Sequence, residues 1–187
     1  MGLSIHYTGQ LLNKGMLKPL MEELTDICQS LNWKFQTVDD DEIKGVWFSP
    51  EGCEPVFLTF NKEGRTLSPV NILVKEMYDD VQISKELYFT ASSKTQYAGI
   101  DSHMAIIKLL KYISGKYLKN FTLNDEGYYW ETGDENLLLE QFEKYEAAID
   151  TFCEAIENLP SISGETHESL ADRIERILRE KLGGKEE

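Results

Sequence analysis

The change of hydrophobic period near residue 33 limits this chain more than any other feature. Before it, Leu17, Leu20, Met21, Leu24, Ile27, Cys28 and Leu31 recur at steps of three and four. That predicts a helix over about 17–31 with one buried face. Pro19 is tolerated because it lies in the first turn. After residue 33, short runs of β-branched and aromatic residues take over, at 34–38, 44–49, 55–60, 66–74 and 86–91. Such runs, bounded by turn residues, read as strands. Asn61-Lys62-Glu63-Gly64 suits a hairpin loop, with a glycine free to take positive φ. Pro69 inside the fourth run marks an edge strand or a break. Leu3, Ile5 and Tyr7 alternate with polar residues and add an N-terminal strand over 3–8.

A strand, a helix and then a meander is an α+β order, not an alternation of βαβ units. The expected fold is therefore α+β, with one antiparallel sheet of about six to seven strands and helices on one face. A second helix is expected over about 101–117, with Ile106, Leu109, Leu110, Ile113 and Tyr117 as its buried stripe. Residues 121–123 and 128–131 read as a hairpin around Asn124-Asp125-Glu126-Gly127. Then Leu138, Phe142, Tyr145, Ile149, Phe152, Ile156 and Leu159 follow at spacings of 4, 3, 4, 3, 4 and 3, an unbroken heptad seam. Pro160 ends it, and Leu170, Ile174, Ile177 and Leu178 mark a last helix over about 166–182. Residues 1–133 read as an α+β domain. Residues 134–187 read as a C-terminal helical hairpin packed on it in one compact unit.

Charge narrows the partners. The chain of 187 residues carries 19 bases and 33 acids, a net charge of −14. That opposes direct binding of nucleic acid or of an anionic membrane. Residues 121–160 alone hold eleven acids and a single base, Lys144. This is a solvated face, or a docking face for a basic partner. No apolar run reaches the roughly 18 residues of a membrane span. The N-terminal residues lack the basic start and apolar block of a signal peptide. Cys28, Cys53 and Cys153 are odd in number and show no metal-ligand spacing, so a reducing compartment, the cytoplasm, is expected.

Familiar catalytic patterns fail. Gly9 to Gly15 has the wrong spacing for a phosphate loop, and Met16 stands where lysine belongs. Asp39 and Asp41 begin a calcium-loop pattern that Ile43 and Lys44 break. No zinc-protease or nucleophile-elbow motif occurs. No cofactor and no metal are expected. His103 lies in a helix's first turn, where the dipole disfavours an imidazolium, so a neutral ring is expected. It is either a base or a hydrogen-bonded structural residue. The densest polar and aromatic stretch is 125–134, in which Asp125, Glu126, Tyr129, Trp130 and Glu131 can line a pocket or pack a hairpin. Gln96 belongs to a second polar loop, 94–99, placed to bind an anion through backbone amides before the second helix.

These stretches carry a resemblance. Lys94-Thr95-Gln96-Tyr97-Ala98-Gly99, His103, the lysine-bearing helix 106–117, Asp125-Glu126-Gly127 and Tyr129-Trp130-Glu131-Thr132 together resemble an uncharacterised family of small bacterial proteins with no assigned activity. The resemblance covers about 3–160. It implies a bacterial source and no particular chemistry.

The expected function is a non-enzymatic protein-interaction module, contacting a protein partner or a second copy through the 138–159 helix. The alternative is a small hydrolase or ligand-binding enzyme using His103 with Asp125, Glu126 or Glu131. A third reading is an acidic mimic of nucleic acid.

Overall fold

Strand β1 (Ser4–Leu11) alternates half-buried and buried residues along its whole length. Its inward set, Ile5, Tyr7 and Leu11, lies in the core. The computed structural model describes residues 2–77 and 84–157, together with 169, 172, 173, 175 and 176. After β1 come α1 (Leu17–Ser30), β2 (Lys34–Asp39), β3 (Lys44–Ser49), β4 (Val56–Phe60), α2 (Pro69–Met77), α3 (Lys85–Tyr88), β5 (Ala91–Lys94), α4 (Gly99–Tyr117), β6 (Leu118–Asp125), α5 (Tyr129–Thr132) and α6 (Glu135–Glu157).

The fold is α+β, but the single sheet of six to seven strands is not what forms. Among the described residues there are two antiparallel sheets of three strands each, ordered β5-β1-β6 and β2-β3-β4. The meander stops at β4 because the next two runs are helical. Residues 66–74 carry a strand-like composition, yet Ser68 Oγ accepts from the Val70 N–H at 3.1 Å and Pro69 takes the first helical position. A proline whose missing N–H costs nothing there favours the helix start. Residues 86–91 divide in the same way. Ser84 caps α3 by accepting from the Leu87 N–H at 3.2 Å, and only Ala91 onward is strand. The expected strand at 128–131 is the helical turn α5, for a reason described below.

Tyr7 joins the two sheets. Its buried hydroxyl accepts from the Phe57 N–H at 2.8 Å and donates to the Phe57 carbonyl at 3.0 Å. Ser93 Oγ adds a bond to the Pro55 carbonyl at 2.8 Å. Val46, Phe48, Val56, Leu58 and Phe60 are all buried, as their alternation predicts. The 61–64 loop turns the chain back antiparallel, bringing Phe60 opposite Thr66. Asn61 Oδ1 accepts from the amides of Glu63 and Arg65, and Gly64 takes φ +78°. Helix α1 buries Leu20, Leu24 and Cys28. Helix α4 buries its predicted stripe together with His103 and Ile107.

Helix α6 follows the heptad seam only at its start. Leu138 and Phe142 are in the core, whereas Phe152 and Ile156 are 37% and 40% exposed. Of the expected last helix, Ser169, Asp172, Arg173, Glu175 and Arg176 are helical. Leu159, the linker and the apolar set Leu170, Ile174, Ile177 and Leu178 lie outside the described residues.

Candidate functional site

His103 stands on the second turn of α4, facing the end of β6. Its side chain is fully buried. Nε2 lies 3.1 Å from Asp125 Oδ1 and 3.2 Å from Oδ2. Nδ1 lies 2.8 Å from Thr95 Oγ1. A carboxylate only accepts, so Nε2 carries the proton that it donates to Asp125. Nδ1 shares a hydrogen bond with the Thr95 hydroxyl, which also donates to the Leu3 carbonyl at 3.4 Å. The edge of Phe142 on α6 closes over the ring, at a centroid distance of 5.9 Å and 87° between planes.

Asp125 serves a second purpose. Oδ1 accepts from the Gly127 N–H at 2.8 Å and Oδ2 from the Trp130 N–H at 3.0 Å. Those amides would otherwise be orphans of a tight turn and of the first turn of α5, so the carboxylate favours the helical turn at Tyr129–Thr132. Tyr128 enters that turn at φ +59°. Gly127 is required by space: a Cβ would come 2.5 Å from Leu138 Cδ1 and 3.2 Å from His103 Nε2. Burial raises the Asp125 pKa, but the His103 bond and charge and the two amides outweigh it, so the carboxyl titrates below its ordinary range.

The other expected residues scatter. Glu126 points to the opposite sheet face, where Oε2 accepts from the Ser4 N–H at 2.7 Å and Oε1 lies 3.7 Å from His6 Nε2. Tyr129 is buried, with Lys108 Nζ 5.8 Å from its ring centroid. Trp130 is half-buried beside Phe121, and Lys111 Nζ donates to its carbonyl at 3.0 Å. Glu131 is exposed, whereas His103 is fully buried. Gln96 is buried, and its Oε1 has no hydrogen-bond partner. Of the three acids considered as partners for His103, the structure brings only Asp125 to it.

One cavity lies near this cluster and escaped sequence reasoning as a cavity. It is a groove of about 360 Å³ between Tyr97 and the distal turns of α6, lined by Tyr145, Ala148, Ile149, Phe152 and Cys153. Burial raises the Tyr145 hydroxyl's pKa, and the nearby Glu126 carboxylate and Tyr128 hydroxyl raise it further. The seam that lines the groove was visible in the heptad spacing. The contribution of Tyr97 was not, because it sits in the loop between β5 and α4.

Among the described residues no group of three or more His, Cys, Asp or Glu side chains could hold a metal ion. No described helix is long and apolar enough to cross a membrane. No family model, curated protein or solved structure matches the chain.

Proposed function

We propose that this chain is a protein-interaction module whose groove on α6 receives an amphipathic helix with cationic flanks. The exposure of Phe152 and Ile156, on the same seam that buries Leu138 and Phe142, carries this reading. A helix face built to be covered continues past the core that covers its first turns. Anchors at i, i+3/i+4 and i+7 suit a helix laid into a groove. Charge sets the partner's sign. From 134 to 157 the chain holds eight acids and only Lys144 as a base, so a helix flanked by lysine or arginine is attracted and an acidic one repelled. The closure around His103 supports the same reading, since a fully buried ring with both nitrogens engaged has no face for a substrate.

Cys153 is the reporter. It is exposed and lines the groove, whereas burial pushes the Cys28 thiol up to about 11 and Cys53 up to about 12. Cys153 is therefore expected to be alkylated fastest at neutral pH. The probes are two synthetic helices with one leucine stripe, flanked by lysine in one and glutamate in the other. The lysine helix is expected to slow alkylation of Cys153, less so at high salt. Phe152→Glu is expected to abolish that protection while circular dichroism is unchanged. The variant adds negative charge, so attraction to the surface in general would strengthen rather than disappear. Equal protection by both helices, or by neither, overturns the reading.

A further inference from the structure

We propose that the outer edge of β2, with the groove beside it, binds an extended peptide segment of a partner protein as an added strand. β2 pairs with β3 through six consecutive residue pairs, Lys34↔Ser49 to Asp39↔Lys44, without a register shift. β2 ends its sheet, and no described strand pairs with its other side. Natural edges are blunted by proline, bulges or inward charges. β2 has no proline or bulge, and its charges, Lys34 and Asp39, stand only at its ends.

The edge has a floor. Val46 and Phe48, opposite Thr37 and Phe35, are buried, so Phe35 and Thr37 share the core-side face of the sheet. There Thr37 borders an open groove of about 730 Å³, walled from α1 by the apolar Leu17 and Met21 and by Lys18, Glu22, Thr25 and Asp26. A strand added about 4.8 Å from β2 would lay alternate side chains on that wall. Backbone pairing then supplies affinity and the wall supplies selection, the mode of strand addition.

Charge orients the guest. Asp39 leads into Asp40, Asp41 and Glu42, while Lys34 begins the strand. Lys44 already pairs with Asp39 and leaves the run negative. An antiparallel guest is therefore basic at its N-terminal end and acidic at its C-terminal end. A second copy fits worse. Two β2 strands related by a two-fold axis normal to the sheet must place residues of equal parity opposite each other. Lys34 then cannot lie opposite Asp39, and two chains of net charge −14 repel.

The test uses the whole chain and amide hydrogen exchange. The probe is a synthetic hexapeptide of alternating valine and threonine, with lysine added before it and glutamate after it. Exchange at 34–39 is expected to slow about tenfold or more at saturation. The same peptide N-methylated along its pairing edge is expected to have no effect, a control that leaves the protein unaltered. Met21→Glu is expected to weaken protection while β3 and β4 keep their own slow exchange. No protection at millimolar peptide, or equal protection by the methylated peptide, overturns the proposal. So does slowing of β2 exchange with protein concentration alone, which gives the edge to a second copy.

Discussion

Asp125 does the work of two residues: it fixes the histidine and caps the turn that follows. Removing His103 therefore leaves a buried carboxylate with two amides and no third partner. His103→Ala is expected to destabilise the protein by about 3–5 kcal/mol, the usual cost of breaking one side of a buried pair. Equilibrium urea unfolding measures it. The pH dependence has a definite sign. In the unfolded chain Asp125 titrates near an ordinary carboxylate value of about 3.9, and in the folded chain it titrates lower. The folded state then binds fewer protons over that interval. The stabilisation is complete above the unfolded value and is lost as pH falls through the folded one. Asp125→Asn is expected to be less stable at pH 7, with the difference narrowing under acid. A difference that stays constant to pH 2 would show that the charge on Asp125 is irrelevant. At this scale the sequence was half legible. The stretch 125–131 and His103 both stood out, but 22 residues separate the pair. Choosing Asp125 over Glu126 needs to know which strand face each occupies, and the register of β6 against β1 decides that.

Among the elements, β1, α1, β3, β4 and α4 were legible because one period dominates each of them. The misread elements are those where a local cap overrides composition. Ser68 with Pro69, Ser84, and Asp125 each start a short helix within residues that look β-prone. α6 was legible in another way: its spacing gave the seam but not where the core beneath it stops. This yields a contrast between two leucine-sized positions on one helix. Leu138 is fully buried and packs in the core, so Leu138→Ala is expected to cost about 2–5 kcal/mol. Ile156 is 40% exposed, so Ile156→Ala is expected to cost well under half as much. Chemical unfolding of the two variants compares them directly. Equal costs would mean that the distal turns are covered as fully as the first, and would remove the ground for a docking groove.

Across the whole molecule, 33 acids face 19 bases, and residues 121–160, with eleven acids and one base, carry most of the excess. Self-repulsion at neutral pH opposes the compact state. Salt could in return weaken exposed ion pairs such as Lys18–Glu22, Lys44–Asp39 and Lys116–Glu23. Glu23 on α1 takes two bonds from Lys116 Nζ on α4, at 2.8 and 2.9 Å, and the hydroxyls of Tyr112 and Tyr117 also donate to it. The Lys116, Tyr112 and Tyr117 bonds hold the Glu23 carboxyl down to about 2, so the cluster survives mild acid. His103 and Asp125 are buried and barely screened. Sodium chloride is therefore expected to raise the thermal midpoint at pH 7 as it increases from about 0.01 M to about 0.2 M, where the screening length falls from roughly 30 Å to under 10 Å. Near pH 4.7, the sequence's isoelectric point, the net repulsion is gone while Glu23 and Asp125 remain ionised. The same addition of salt is expected to leave the midpoint nearly unchanged there. Calorimetric melts at the two pH values decide the matter. A midpoint that falls with salt at pH 7 would mean that exposed ion pairs, rather than the buried lock and the sheets, hold this fold together.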